Sequence, residues 1–98
     1  MVLGVTDEEY KILIKILSPY KDKYSFYLYG SRVKGTHEKT SDLDVLVKGE
    51  KEISISELAA LKGQMDSSRL SYIVNFCDYN NIDKAFFELI KKDLVKIL

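Results

Sequence analysis

The chain has 98 residues, 46% of them apolar, which supports one domain over 1–98 with a thin core and leaves too little chain for a second folding unit. Lysine plus arginine and aspartate plus glutamate both number 15, for a formal net charge of zero, which argues against nucleic-acid binding that depends on excess base. No apolar run reaches membrane-spanning length, the first residues lack a secretory pattern, and the single cysteine, Cys77, has no internal disulfide partner; the expectation is a cytoplasmic protein with no membrane association.

Thr6, followed three residues later by Glu9, reads as a capping box that opens a first helix, with Tyr10, Leu13, Ile14 and Leu17 at helical spacing. Ile12 and Ile16 widen its apolar face, and Ser18-Pro19 should end it, since the residue before proline is pushed out of the helical region. Ser25 to Tyr29 is rich in aromatics and reads as a strand that runs straight into Gly30-Ser31-Arg32. Lys34 to Thr40 is a polar loop, and Leu43 to Val47 a second strand with Asp42 at its entrance and Asp44 inside it. Ser54 and Glu57 form another capping box, with Ile53 and Leu58 as a hydrophobic staple, Leu58 and Leu61 facing inward, and Gly63 loosening the helix end. Leu70 to Cys77 reads as the third strand. Asp83 caps a last helix with Ile82 and Phe87 as staple and Phe86, Leu89 and Ile90 towards the core. The tail from Leu94 to Leu98 fits either an extension of that helix or a short strand. Alternating helices and strands of this kind make an α/β domain, a small sheet covered by helices.

The chemistry-bearing residues lie between the first two strands. Asp42 and Asp44, two apart on a strand, point to the same face and reach one point in space. Like charges so placed repel, and a hard cation such as magnesium relieves the repulsion. Taken alone, the pair reads equally as strand-entry acids on a solvated face. Gly30 lets the backbone approach a ligand or turn left-handed. Ser31 can donate its hydroxyl and cap a short following turn whose free N–H groups suit a phosphate. Arg32 and Lys34 bring positive charge to the same corner, and Arg32 could fork around phosphate oxygens; on its own, this segment also fits a simple glycine turn.

The combination is more specific. Gly30-Ser31, the ten residues Arg32 through Ser41, then Asp42-Leu43-Asp44 give the string GSRVKGTHEKTSDLDVLV, which resembles the signature of the nucleotidyltransferases of the DNA polymerase beta type. The closest likeness is to the minimal nucleotidyltransferases that serve as antitoxins paired with HEPN-domain toxins, and it covers essentially the whole chain. The resemblance implies a nucleotidyltransferase fold with a small mixed β-sheet covered by helices. It also implies ATP or another nucleoside triphosphate bound with Mg2+, with Gly30 and Ser31 (and Arg32 beside them) at the phosphates and Asp42 and Asp44 as metal ligands. The implied reaction moves a nucleoside monophosphate, AMP from ATP, onto a hydroxyl of a partner protein and releases pyrophosphate. The implied partner is a HEPN-type toxin, and a homo-oligomer stays open.

One position departs from the pattern. The family supplies a third carboxylate from the next core strand, and the matching stretch here, Val74-Asn75-Phe76-Cys77-Asp78, carries Asn75 at that place. An amide is a neutral ligand that cannot take a proton from a hydroxyl. Asp78 lies three residues on, the wrong parity to replace it. The alternative reading is therefore a weak or inactive nucleotide-binding or partner-binding module. His37 reads as a solvated loop residue and Cys77 as a small core residue.

Overall fold

The computed structural model describes residues 2–98. Helix α1 (Asp7–Leu17) begins at the Thr6 capping box: Thr6 Oγ1 accepts from the Glu9 N–H at 3.1 Å, and Glu9 Oε1 accepts from the Thr6 N–H at 2.9 Å. Ser18–Tyr20 adds a 3-10 turn at its end. The elements that follow are β1 (Tyr24–Tyr29), α2 (Ser31–Lys34), β2 (Leu43–Gly49), α3 (Ile55–Asp66), β3 (Val74–Asp78), α4 (Lys84–Ile90) and β4 (Val95–Lys96).

The four strands form one sheet in the order β3-β2-β1-β4. β1 runs antiparallel to both β2 and β4, while β2 and β3 are parallel, so the sheet is mixed as expected. The antiparallel β1–β2 pair is closed by α2 and the loop after it, and the parallel β2–β3 pair by the crossover helix α3.

Strand parity sorts the side chains into two layers. Tyr24, Phe26 and Leu28 of β1, Leu43, Val45 and Val47 of β2, and Val74 of β3 join Leu13 and Leu17 of α1 and Leu61 and Met65 of α3 in the larger core. On the other face Tyr29 and Leu46 pack with Ile90 of α4, flanked by Tyr27, Cys77, Tyr79, Ile82, Phe87 and Leu94. Asp44 and Asn75 have the parity of this second face.

Three expectations are corrected. α3 continues through Gly63 to Asp66, because burial of Leu61 and Met65 on either side outweighs the propensity cost of about 1 kcal/mol for a mid-helix glycine. β3 begins at Val74 rather than Leu70, since the chain from Ser67 to Ser71 is still turning out of α3: Ser67 N–H and Ser68 N–H donate back into the helix end, and Leu70 N–H donates to Ser68 Oγ. On α4, Leu89 is 70% exposed; a helix of seven residues lays Phe87 and Ile90 on the sheet and brings the part-exposed Phe86 edge-on to Tyr29 at a ring separation of 6.1 Å, which leaves Leu89 outside the stripe. The ambiguous tail is a strand: Ile97 N–H donates to Phe26 O at 2.9 Å and Phe26 N–H to Leu98 O at 2.8 Å. No helix among the described residues is long and apolar enough to cross a membrane.

Candidate active site

β1 ends at Tyr29, and Gly30 turns the chain into α2 with φ +89° and ψ −162°, a conformation only glycine adopts freely. Tyr29 pairs with Asp44 across the antiparallel ladder, which puts the turn beside the first carboxylate of β2. A Cβ built on Gly30 would lie 2.5 Å from Asp44 Oδ2, so the carboxylate rests directly against the bare α-carbon. Gly30 is also the N-cap of α2, with no side-chain cap bond. The capping role expected of Ser31 thus falls to the residue before it. Ser31, half-buried, is the first residue of the helix, and its carbonyl accepts from the Gly35 and Thr36 N–H groups.

On the other side of Asp44 the parallel register places Asn75 directly opposite. Asn75 Nδ2 donates to Asp42 Oδ2 at 2.9 Å. The two aspartates and Asn75 therefore converge on one patch, with Asp42 and Asn75 exposed and Asp44 half-buried. Burial raises the Asp44 carboxyl above its ordinary value, the Asn75 amide opposes that, and the Asp42 charge adds to it. Asp78 stands apart, as its parity requires: its carboxylate accepts from the Ile53 N–H at 2.6 Å and the Asn80 N–H at 2.8 Å. Among the described residues no three His, Cys, Asp or Glu side chains gather in one place; the site consists of two carboxylates and an amide. That donor set fits a magnesium ion, which takes hard oxygen ligands, keeps several waters and is held by one or two carboxylates with substrate phosphates. The amide would present its oxygen in place of the nitrogen that now faces Asp42.

Arg32 is placed differently from its expected position at the phosphates. It is 5% exposed, and its guanidinium donates to main-chain carbonyls: Nη1 to Gly4 at 2.7 Å, Nε to Ser41 at 3.0 Å, and Nη2 to Lys39 at 3.1 Å. The ring of Tyr72 lies 3.8 Å from its central carbon. These donors are spent inside the fold. Gly4 and Tyr72, far away in sequence, carry no local signal that would have revealed them as partners of Arg32. His37, read as solvated, is half-buried with Nδ1 shut from solvent and unpartnered, and the buried Tyr72 Oη also lacks a partner. Tyr29, at the end of the aromatic strand, is another neighbour of Asp44. Burial raises its phenol above the ordinary value, and the nearby Cys77 and Asp44 charges reinforce this.

Residues 11–98 match the family described as Polymerase beta, Nucleotidyltransferase. The chain belongs to that family. A Haemophilus influenzae protein described as a probable protein adenylyltransferase MntA is 33% identical over 95 residues, covering 97% of this chain and 83% of that protein. A crystal structure of a toxin–antitoxin with AMP-PNP superposes with a TM-score of 0.74 at 21% identity, over 90% of this chain and 71% of that one. A mutant of the toxin–antitoxin MntA-HpeT gives 0.72 at 21% identity, over 90% and 70%. At this identity the two structures speak for the nucleotidyltransferase fold.

Proposed function

We propose that this chain is an adenylyltransferase that moves AMP from ATP to a hydroxyl of a partner protein, as the antitoxin of a toxin–antitoxin pair. The observation that carries this reading is the convergence of Asp42 and Asp44 beside the Gly30-Ser31 turn, with Asp44 held against the Gly30 α-carbon. Family membership and the relative described as a probable protein adenylyltransferase support the same reaction class, and a toxin–antitoxin of this fold crystallised with AMP-PNP supports ATP as substrate and a HEPN-type toxin as partner. A cytoplasmic setting belongs to the same reading, with Cys77 a free thiol.

In this scheme the open backbone at Gly30 and Ser31 admits the triphosphate, and Asp42 and Asp44 would hold Mg2+. The bound ion would neutralise charge on the phosphoryl oxygens and lower the barrier to attack. The acceptor oxygen bonds to the α-phosphorus, the α–β bridging bond breaks, and pyrophosphate leaves with its electron pair. Asp42 and Asp44 orient the reacting groups. Asn75 steadies Asp42 through its amide but cannot accept the hydroxyl proton, so the proton passes to bulk water. A slow reaction follows from this chain's own residues.

A second reading, a binding module that has lost turnover, is favoured by Asn75 alone. The test is transfer of label from ATP carrying it on the α-phosphate, with Mg2+ and the toxin partner, read by mass spectrometry of the partner. Covalent AMP on the partner that disappears with Asp44→Ala and increases with Asn75→Asp is the expected result. Tight ATP binding without transfer in either the native chain or Asn75→Asp would establish the binding module instead.

A further inference from the structure

We infer that Arg32 is a positioning residue for the metal-binding pair: its guanidinium ties the connector before Asp42 to the glycine-serine turn and so sets where Asp42 stands relative to Gly30. This inference rests on the proposed reading of Asp42 and Asp44 as metal ligands.

The connector between the two halves of the site is polar, with residues 38–40 exposed. Its own bonds are few: Thr36 N–H to Ser31 O at its start, and a closed turn in which Ser41 N–H donates to Glu38 O and Glu38 N–H to Ser41 Oγ. Among the described residues, every hydrogen bond that ties this closed turn to the rest of the chain comes from Arg32, which reaches the carbonyls of Lys39 and Ser41, with a longer contact of 3.4 Å to that of Glu38. The Ser41 carbonyl has a particular consequence. It belongs to the rigid plane of the Ser41–Asp42 peptide, so the 3.0 Å bond from Arg32 Nε fixes the plane from which Asp42 departs. Past that plane the exposed Asp42 carboxylate has the Asn75 amide as its side-chain tether.

Arg32 itself is held from two sides. Its backbone carbonyl accepts from the Gly4 N–H at 2.9 Å while Nη1 donates to the Gly4 carbonyl, and a Cβ at Gly4 would come within 2.5 Å of Arg32 Cβ. The face of Tyr72 closes over the guanidinium at 3.8 Å, a stacking arrangement that also compensates the buried charge. Because Arg32 lies within α2, two residues from Gly30, its planar fork converts the position of the phosphate turn into the position of the metal-ligand strand. A lysine ammonium cannot span the same divergent carbonyls.

The test compares the native chain with Arg32→Lys, Arg32→Gln and Tyr72→Leu by calorimetric titration of Mn2+ alone, and of ATP alone in EDTA, below each variant's thermal transition with folding checked by circular dichroism. Both arginine variants are expected to weaken Mn2+ binding by about tenfold, the scale for losing a group that orients a metal ligand, without rescue by lysine, and to leave metal-free ATP binding roughly unchanged. Tyr72→Leu should weaken Mn2+ binding to a lesser degree. The opposite pattern, ATP binding lost and Mn2+ binding kept, overturns the inference and returns Arg32 to the phosphates. Native Mn2+ affinity in folded variants also overturns it, leaving Arg32 a role in stability alone. If neither arginine variant folds, Tyr72→Leu decides by the same two readings. Absence of Mn2+ binding in the native chain would overturn the metal-site reading, and this inference with it.

Discussion

Gly30 and Asp44 restrict each other. The glycine occupies φ +89°, where a side chain is strained, and its missing Cβ is what leaves room for Asp44 Oδ2. Gly30→Ala therefore meets two separate penalties: the backbone strain, and the clash with a half-buried carboxylate. The expected destabilisation is about 1–3 kcal/mol, measured by urea denaturation. In an Asp44→Ala background the clash partner is gone and only the backbone term remains, so the same substitution should cost less; a double-mutant cycle would report the difference as coupling. Equal costs in both backgrounds would mean that the contact carries no strain. At this scale the acids and the glycine were legible because their chemistry follows from residue type and local spacing. Asn75 was picked out only by the family resemblance; its place opposite Asp44 comes from the β2–β3 register, which local spacing does not contain. The burial of Arg32 was not legible, because the carbonyl of Gly4 and the ring of Tyr72 reach it only through the tertiary fold.

Among the elements, the two capping boxes were readable from four-residue patterns, since a cap satisfies N–H groups within its own turn. Ends and faces were less readable. The far end of α3 and the start of β3 depend on where Met65 and Val74 find core to bury against, and the outward Leu89 on how little of the sheet α4 covers. The α3 cap also has a long-range component that local pattern does not contain: Glu57 accepts from Lys23 Nζ at 2.8 Å and from Tyr24 Oη at 2.7 Å, joining the helix start to β1. Hydrogen bonding from Lys23, then from Tyr24, lowers the Glu57 carboxyl from an ordinary 4.5 to about 2. The unfolded chain therefore binds this proton first as pH falls, and the native state loses stability between about pH 4.5 and 2. Glu57→Gln should be less stable than the native chain at pH 7, with the gap closing across that window, as followed by thermal melts from pH 7 to 2. The network lies at the surface, so added salt should narrow the gap at neutral pH. A gap independent of pH would remove the carboxylate charge from the explanation.

For the whole molecule, what matters is how a thin two-layer fold responds when the site is filled. On the proposed reading a cation relieves the repulsion between the two acids, but the burial of Asp44 disfavours its charged form and the third position supplies only a neutral amide. Metal alone therefore binds measurably but with a small thermal shift, and nucleotide alone brings its phosphates towards two carboxylates. Each ligand removes the obstacle to the other, so the two should bind with positive coupling. A ligand at a hundredfold excess over its dissociation constant stabilises the native state by about 2.7 kcal/mol, which for a domain of this size raises Tm by roughly 10–20 °C. Thermal melts with Mg2+, with ATP in EDTA, and with both should accordingly give a shift of this order only for the pair, exceeding the sum of the separate shifts. Asn75→Asp adds a negative charge to the same patch, so it should lower Tm without ligands and enlarge the shift with Mg2+ alone. A full shift with ATP in EDTA would mean that the phosphates are held by the turn without a cation, and the carboxylate pair would then need another explanation.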